Sequence, residues 1–230
     1  MNSPAIDHIL RSRKTLLNIL ASRGYNTTPY ENFGYDEIEA MLVGGDAALR
    51  MDLERPADST DTGVTKCTVR YVLTKLKQKI PGYLSSELPN MALELREGIK
   101  EETFENYLDP ATTEAIVMLV DDSHPMADIF TSAALNQWNK SKFRLSFFLV
   151  DHLVNNPAEH VLVPKHERVP LAEHAELLKQ TYAKKTQFPL IVFHQDIQAR
   201  ILGLVPGDIV KITRPSPSAG YYVEYRVCAP

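Results

Sequence analysis

Side chains able to carry chemistry are scattered along this sequence. Seven histidines raise the question of a metal centre, and the stretch HVLVPKH sets His160 and His166 six residues apart around a proline. That spacing matches no usual zinc pattern, and no cysteine or carboxylate pair sits at helical spacing to complete a ligand set. Asp121 and Asp122 follow an apolar run, at the strand end where open α/β sheets place ligands. A stand-alone, nuclease-like, metal-dependent hydrolase using Asp121 or Asp122 would need a basic residue on a neighbouring strand, and no Glu/Asp-x-Lys supplies one. The plainer reading is a solvated turn into a helix, with Ser123 as cap and Pro125 in the first turn. Asp196 and Asp208 add carboxylates without a partner base. No Gly-x-Ser-x-Gly, phosphate-binding glycine loop or His-Glu-x-x-His occurs. The residues therefore imply no catalytic set, no metal site and no cofactor.

A second candidate is GDIVKITRPSPSAGYYVEYRV, residues 207–227, where Lys211 and Arg214 flank a Pro/Ser/Gly loop. A phosphate cradle needs consecutive free N–H groups, and Pro215 and Pro217 remove two of them. Gly220 permits a backbone conformation other residues resist. The stretch reads as two strands around a stiff loop, a terminal hairpin.

The elements around these candidates follow from apolar periodicity. Ile6, Ile9, Leu10, Leu16, Leu17 and Leu20 mark a helix over 4–23 that stops at Gly24, and a short helix over 35–43 stops at Gly44-Gly45. Residues 54–64 read as a polar loop and 66–74 as an alternating strand. A helix is expected over 91–107, a buried strand over 114–120 and a helix over 125–139; 143–150 fits either a strand or a buried helix. Beyond the Asn155-Asn156-Pro157 breaker, a strand is expected at 161–163, helices at 171–182 and 196–202, and strands at 208–213 and 221–227. This is an α/β (α+β) chain: an N-terminal α/β domain over 1–156, with layering compatible with a nuclease-like fold, and a small C-terminal α/β domain over 157–230.

Bulk properties narrow the partners. The formal net charge is −4 and the isoelectric point near 6.0, which argues against coating nucleic acid through bulk charge. Of 25 basic and 29 acidic residues, 9 and 7 lie in 157–230, so the C-terminal part is slightly basic on an acidic protein. Cys67 and Cys228 lie far apart and read as reduced, buried thiols in an intracellular protein. The N-terminus has no signal-peptide core, and no apolar run reaches membrane-spanning length.

About 70 C-terminal residues resemble, in order, one family: the fifth subunit shared by the eukaryotic nuclear DNA-directed RNA polymerases, whose archaeal counterpart is essentially this C-terminal stretch alone. The matching positions are Leu162-Val163-Pro164-Lys165-His166, Glu176-Leu177-Leu178, Tyr182, Pro189, Asp196, Ala199-Arg200 and Gly203. They continue through Gly207, Val210-Lys211-Ile212, Arg214, Ser216, Ala219-Gly220, Tyr222 and Tyr225-Arg226. Toward the N-terminus, Arg23-Gly24-Tyr25 fits the start of the longer eukaryotic form, and AIVMLVDDSHPMA resembles its apolar strand and following proline turn. Ile197, Leu190 and Tyr221 depart from the usual residues and mark a divergent member, eukaryotic or from a large DNA virus.

The resemblance implies a non-catalytic polymerase subunit. Its C-terminal assembly domain would dock on the largest polymerase subunit, and its N-terminal domain would be a jaw beside downstream duplex DNA. Ser123, His124, Pro125, Met126 and Ala127 would then be the DNA-proximal turn. The chain would act in the nucleus, or in a virion or viral factory if virally encoded, with no small-molecule substrate and no membrane.

Overall fold

The computed structural model describes residues 3–57, 62–74, 80, 83, 108–120 and 128–230. The chain divides into two compact units, Met1–Val154 and Asn155–Pro230. The helix expected over 91–107 and the turn at 121–127 lie outside the described residues.

In the first unit, α1 (Ser3–Ser22) buries Ile6, Ile9, Leu16, Leu17 and Leu20 along one stripe. Gly24, at φ 87°, ends it. Its N–H and that of Tyr25 return to the carbonyls of Ala21 and Leu20 (2.9 and 3.1 Å), the paired bonds that close a helix through a left-handed residue. Ser12 and Arg13 are also buried on this helix. The Arg13 Nη1 donates to the Leu49 carbonyl (3.0 Å), and its guanidinium lies over the Tyr30 and Phe33 rings. Apolar periodicity gives no hint of that burial. A second helix, α2 (Tyr35–Val43), packs on α1 and buries Ile38.

The sheet of this unit has the order β1-β2-β3-β4, with β1 Met51–Glu54, β2 Lys66–Val72, β3 Thr113–Leu119 and β4 Arg144–Leu149. The last three are parallel, and β1 joins β2 antiparallel. Every residue of β3 is buried, as an apolar run covered on both faces requires. The same position corrects the expected alternation in β2, where Cys67, Thr68, Val69, Tyr71 and Val72 are all buried. The ambiguous 143–150 run resolves as β4, in parallel register with β3 from Glu114↔Arg144 to Leu119↔Leu149. Helix α3 (Asp128–Ser141) precedes it and packs against it, with the Phe130 and Phe147 rings 5.1 Å apart. Four-residue β1 is too short to read from its sequence.

The second unit carries a sheet of order β5-β7-β8-β6, with β5 Lys165–Arg168, β6 Leu190–Val192, β7 Ile209–Ser216 and β8 Gly220–Ala229. The hairpin β7–β8 is its centre; β5 adds antiparallel to β7 and β6 parallel to β8. The strand expected at 161–163 is instead a turn with Val161 and Leu162 exposed, closed by the Val163 N–H on the His160 carbonyl (2.8 Å). Pro164 cannot donate a ladder bond, so pairing starts only at Lys165. The helix expected over 171–182 is a 3-10 turn, Leu171–Glu173, followed by α4 (His174–Gln180). Helix α5 (Ile197–Leu202) starts where the Asp196 carboxylate accepts the Gln198 N–H (2.7 Å).

Candidate functional site

Of the N-terminal candidates, Asp121, Asp122, Ser123, His124, Pro125, Met126 and Ala127 lie between β3 and α3, outside the described residues. Among the described residues no three His, Cys, Asp or Glu side chains group as metal ligands. What the unit does assemble is a buried polar knot at the start of β3. Arg23 Nη2 donates to both oxygens of Glu114 (2.6 and 2.7 Å), and the Tyr25 hydroxyl donates to Glu114 Oε1 (2.5 Å). Burial pushes the Glu114 carboxyl up, but the Arg23 charge and the Tyr25 and Arg23 hydrogen bonds outweigh it and hold it below its ordinary value. Burial, then the Glu114 charge, pushes the Tyr25 phenol well up. A charge this well paired holds α1 to the sheet; it is no acid or base for chemistry. Burial likewise raises both thiols, Cys228 to about 12, and neither is in a disulfide.

The C-terminal candidates divide into positions that shape the unit and positions on its surface. Asp196 caps α5, Ala199 and Arg200 are buried in it, and Gly203, at φ 64°, ends it by donating its N–H to the Ala199 and Arg200 carbonyls. Arg200 is drawn down to about 10 by burial. It lies close enough to buried His194 that burial first, and the Arg200 charge second, depress that imidazole to about 3. Gly207, at φ 95°, donates to the Cys228 carbonyl (2.8 Å), and its own carbonyl accepts Lys185 Nζ (2.9 Å). The Pro189 carbonyl accepts the Val227 N–H (2.9 Å), which seats β6 beside β8.

On the surface, Leu162 is 83% exposed on its turn, with its N–H on His160 Nδ1 (3.2 Å). His166 Nδ1 donates to the Pro164 carbonyl (2.7 Å), and Lys165 pairs with Glu167 (2.6 Å). The structure thus gives His160 and His166 separate local partners. Lys211 faces Glu167 on one side and Tyr225 on the other. Glu224 receives two guanidiniums, Arg226 at 2.9 Å and Arg214 at 3.5 Å. At the hairpin tip Ser216 pairs with Gly220, the Ser216 Oγ accepts the Ala219 N–H (3.3 Å), and Gly220 takes φ 74°. A three-residue loop followed by a left-handed glycine is a regular hairpin connection. Tyr221 and Tyr222 stand exposed on the strand that follows.

Sequence reasoning missed the ion pair inside this unit. Arg168 donates to both oxygens of Asp208 (3.0 and 3.2 Å), and Asp208 Oδ2 also accepts the Val205 N–H (3.0 Å). The partners lie 40 residues apart, and only the pairing of β5 with β7 joins them.

Comparison with known proteins follows the same division. Residues 155–228 match the family model of the RNA polymerase Rpb5 C-terminal domain. Subunit Rpo5 of the DNA-directed RNA polymerase of Nitrosopumilus maritimus is 47% identical over 68 residues, 30% of this chain and 81% of that one. The chain belongs to the Rpb5 family of RNA polymerase subunits. The likeness extends beyond the C-terminal unit: subunit rpabc1 of DNA-directed RNA polymerases I, II and III from Dictyostelium discoideum is 28% identical over 226 residues, 97% of this chain and 98% of that one. The Caenorhabditis elegans subunit RPABC1 is 44% identical over 86 residues, 37% of this chain and 40% of that one. As an Rpb5-family member the chain is a non-catalytic component of a DNA-directed RNA polymerase.

Proposed function

We propose that this Rpb5-family chain docks on the largest polymerase subunit through its C-terminal unit and carries its N-terminal unit as a jaw beside downstream duplex DNA, in the nucleus. The observation that carries this reading is the division of similarity. The archaeal relative is a polymerase subunit, and a matched stretch no longer than the C-terminal unit makes up 81% of it. This supports a surface for joining the enzyme in that unit. Among the described residues exposed apolar side chains are found mostly there as well, with Leu162, Tyr182, Leu190, Tyr221 and Tyr222 all at the surface.

DNA contact would be weak and backbone-directed. The chain's net charge of −4 opposes duplex binding, and one or two phosphate contacts at the 123–127 turn give a salt slope of roughly −1 to −2. The free chain should therefore not bind duplex measurably at physiological salt. The test is a polymerase purified through a tag on this chain, carrying a photoreactive group at position 124. The expected result is a stoichiometric largest subunit and crosslinks to downstream DNA without sequence preference. Absence of the largest subunit removes the docking reading. Crosslinks to protein alone remove the jaw's DNA contact and leave assembly as the role.

A further inference from the structure

Most of the strand edges in the C-terminal unit are closed. The β5 edge reads Lys165, His166, Glu167, Arg168, with Lys165 and Glu167 paired along it, the charged composition that blunts an edge. The β6 edge is three residues long, and its Val192 carbonyl accepts the Asp196 N–H (3.2 Å). Strand β8 is different. It runs for ten residues, Gly220–Ala229, but β6 pairs only with Val227, Cys228 and Ala229.

Register fixes which groups this leaves open. The Val227 N–H points to β6, onto the Pro189 carbonyl, while the Cys228 N–H points the other way, onto the Asp208 carbonyl. Backbone groups alternate along an antiparallel strand, so Tyr222, Glu224 and Arg226 bond toward β7. Tyr221, Val223 and Tyr225 point away from it. The Tyr221 N–H turns back to the Ala219 carbonyl (2.9 Å). The Tyr221 carbonyl and both backbone groups of Val223 and Tyr225 meet no other strand of this unit. The notch ends where Phe188 packs edge-on against Tyr225, ring centroids 6.4 Å apart.

We infer that the β8 edge at Tyr221–Tyr225 takes an added strand from a companion polymerase subunit. This rests on the docking role proposed above and names its mode. The side chains flanking the edge specify the occupant. Tyr221 (75% exposed), Val223 (41% exposed) and Tyr225 share one face of the sheet, and they suit β-branched or aromatic residues at alternate positions of the incoming segment. On the opposite face, two guanidiniums, Arg214 and Arg226, share the single Glu224 carboxylate. One positive charge is left over, so an acidic residue between those apolar positions fits the pattern.

The alternation supplies a selective lesion. Proline at 223 removes an N–H that no bond among the described residues uses, so the hairpin should survive Val223→Pro, while the ring blocks an incoming strand. Full-length chain is added to polymerase depleted of this subunit, and incorporation is read beside residue-resolved amide exchange. Wild type should incorporate, and Val223→Pro, with an unchanged dichroism spectrum, should incorporate at least about tenfold less at matched concentration. In the free wild-type chain the Val223 and Tyr225 amides should exchange rapidly and the Glu224 and Arg226 amides slowly. Assembly should slow Val223 and Tyr225 selectively, by at least about a hundredfold. The exchange measurement decides the matter even if Val223→Pro does not fold.

Rapid exchange at Val223 and Tyr225 in an enzyme that contains the chain would overturn strand addition and leave the subunit role standing. Slow exchange in free chain that sediments as a dimer would overturn it in favour of a second copy. Failure of wild type to incorporate would instead remove the docking reading itself.

Discussion

In the N-terminal sheet the outer edge of β1 is covered by a side chain. The Asp52 N–H donates to the Tyr30 hydroxyl (3.0 Å), that hydroxyl donates to the Asp52 carbonyl (3.1 Å), and the Asn26 N–H reaches the Glu54 carbonyl (2.9 Å). Among the described residues the β8 edge of the C-terminal sheet has no such cover, and aromatic side chains stand exposed beside it. The interiors differ in the same sense. Strand β3 is buried along its whole length, while β8 is buried only at Val227 and Cys228. In the first sheet the backbone groups of Asp52 and Glu54 on β1 find partners and β3 is buried on both faces. The second leaves part of both requirements open, which suits a unit that is completed on assembly.

The largest effect should come from the closed sheet. Glu114→Ala leaves the Arg23 guanidinium buried without its carboxylate, and such a loss costs about 3–5 kcal/mol. Thermal unfolding with limited proteolysis should show the first unit opening at lower temperature while 155–230 stays resistant. Equal loss in both units would mean the two are not energetically distinct.

A pH titration sharpens the contrast from the other side. His194 is depressed to about 3 in the fold against about 6.5 unfolded, so its unfolded form takes up the proton first. Its contribution is fully present above about pH 6.5. It is lost as pH falls toward 3, at up to about 1.4 kcal/mol per unit, or roughly 2 kcal/mol by pH 5. The C-terminal unit should soften on acidification, and His194→Phe should flatten that slope if the ring packs equivalently. An unchanged slope in the variant would assign the acid sensitivity elsewhere.

Gly220→Val should cost about 1–3 kcal/mol, because a β-branched residue is forced to φ near 74°. No heavy atom lies within 4 Å of the added Cβ, so the cost is conformational and Gly220→Asn should recover much of it. Equal loss in Val and Asn variants would point to a steric cause instead. The smallest effect is a gain. Tyr182 holds φ 51° at the end of α4 while 96% exposed, and Tyr182→Gly should stabilise by about 0.5–1 kcal/mol. A loss of stability would show that the ring makes contacts the exposed position does not suggest.

The order of elements was legible because each rests on a local rule. Apolar spacing and Gly24 bounded α1; Pro215, Pro217 and Gly220 marked a hairpin and ruled out a phosphate cradle. Edge strands were not legible. The β1 sequence Met-Asp-Leu-Glu and the β6 sequence Leu-Ile-Val are too short for a period, and Val161-Leu162-Val163 looks more like a strand than either. Of the candidate surface, the residues of the hairpin were readable, but which of their backbone groups lack partners was not.

By itself, then, the sequence determined the family, the first helices and the terminal hairpin, since those follow from side-chain chemistry within a few residues and from ordered matches along the C-terminal stretch. Only the tertiary structure decided that Arg23 meets Glu114 across 91 residues, that Arg168 meets Asp208 across 40, and that β6 stops short of Tyr225. Charge pairing at such separations and hydrogen-bond pairing between strands depend on register, and register is set by packing of the whole sheet rather than by any one segment.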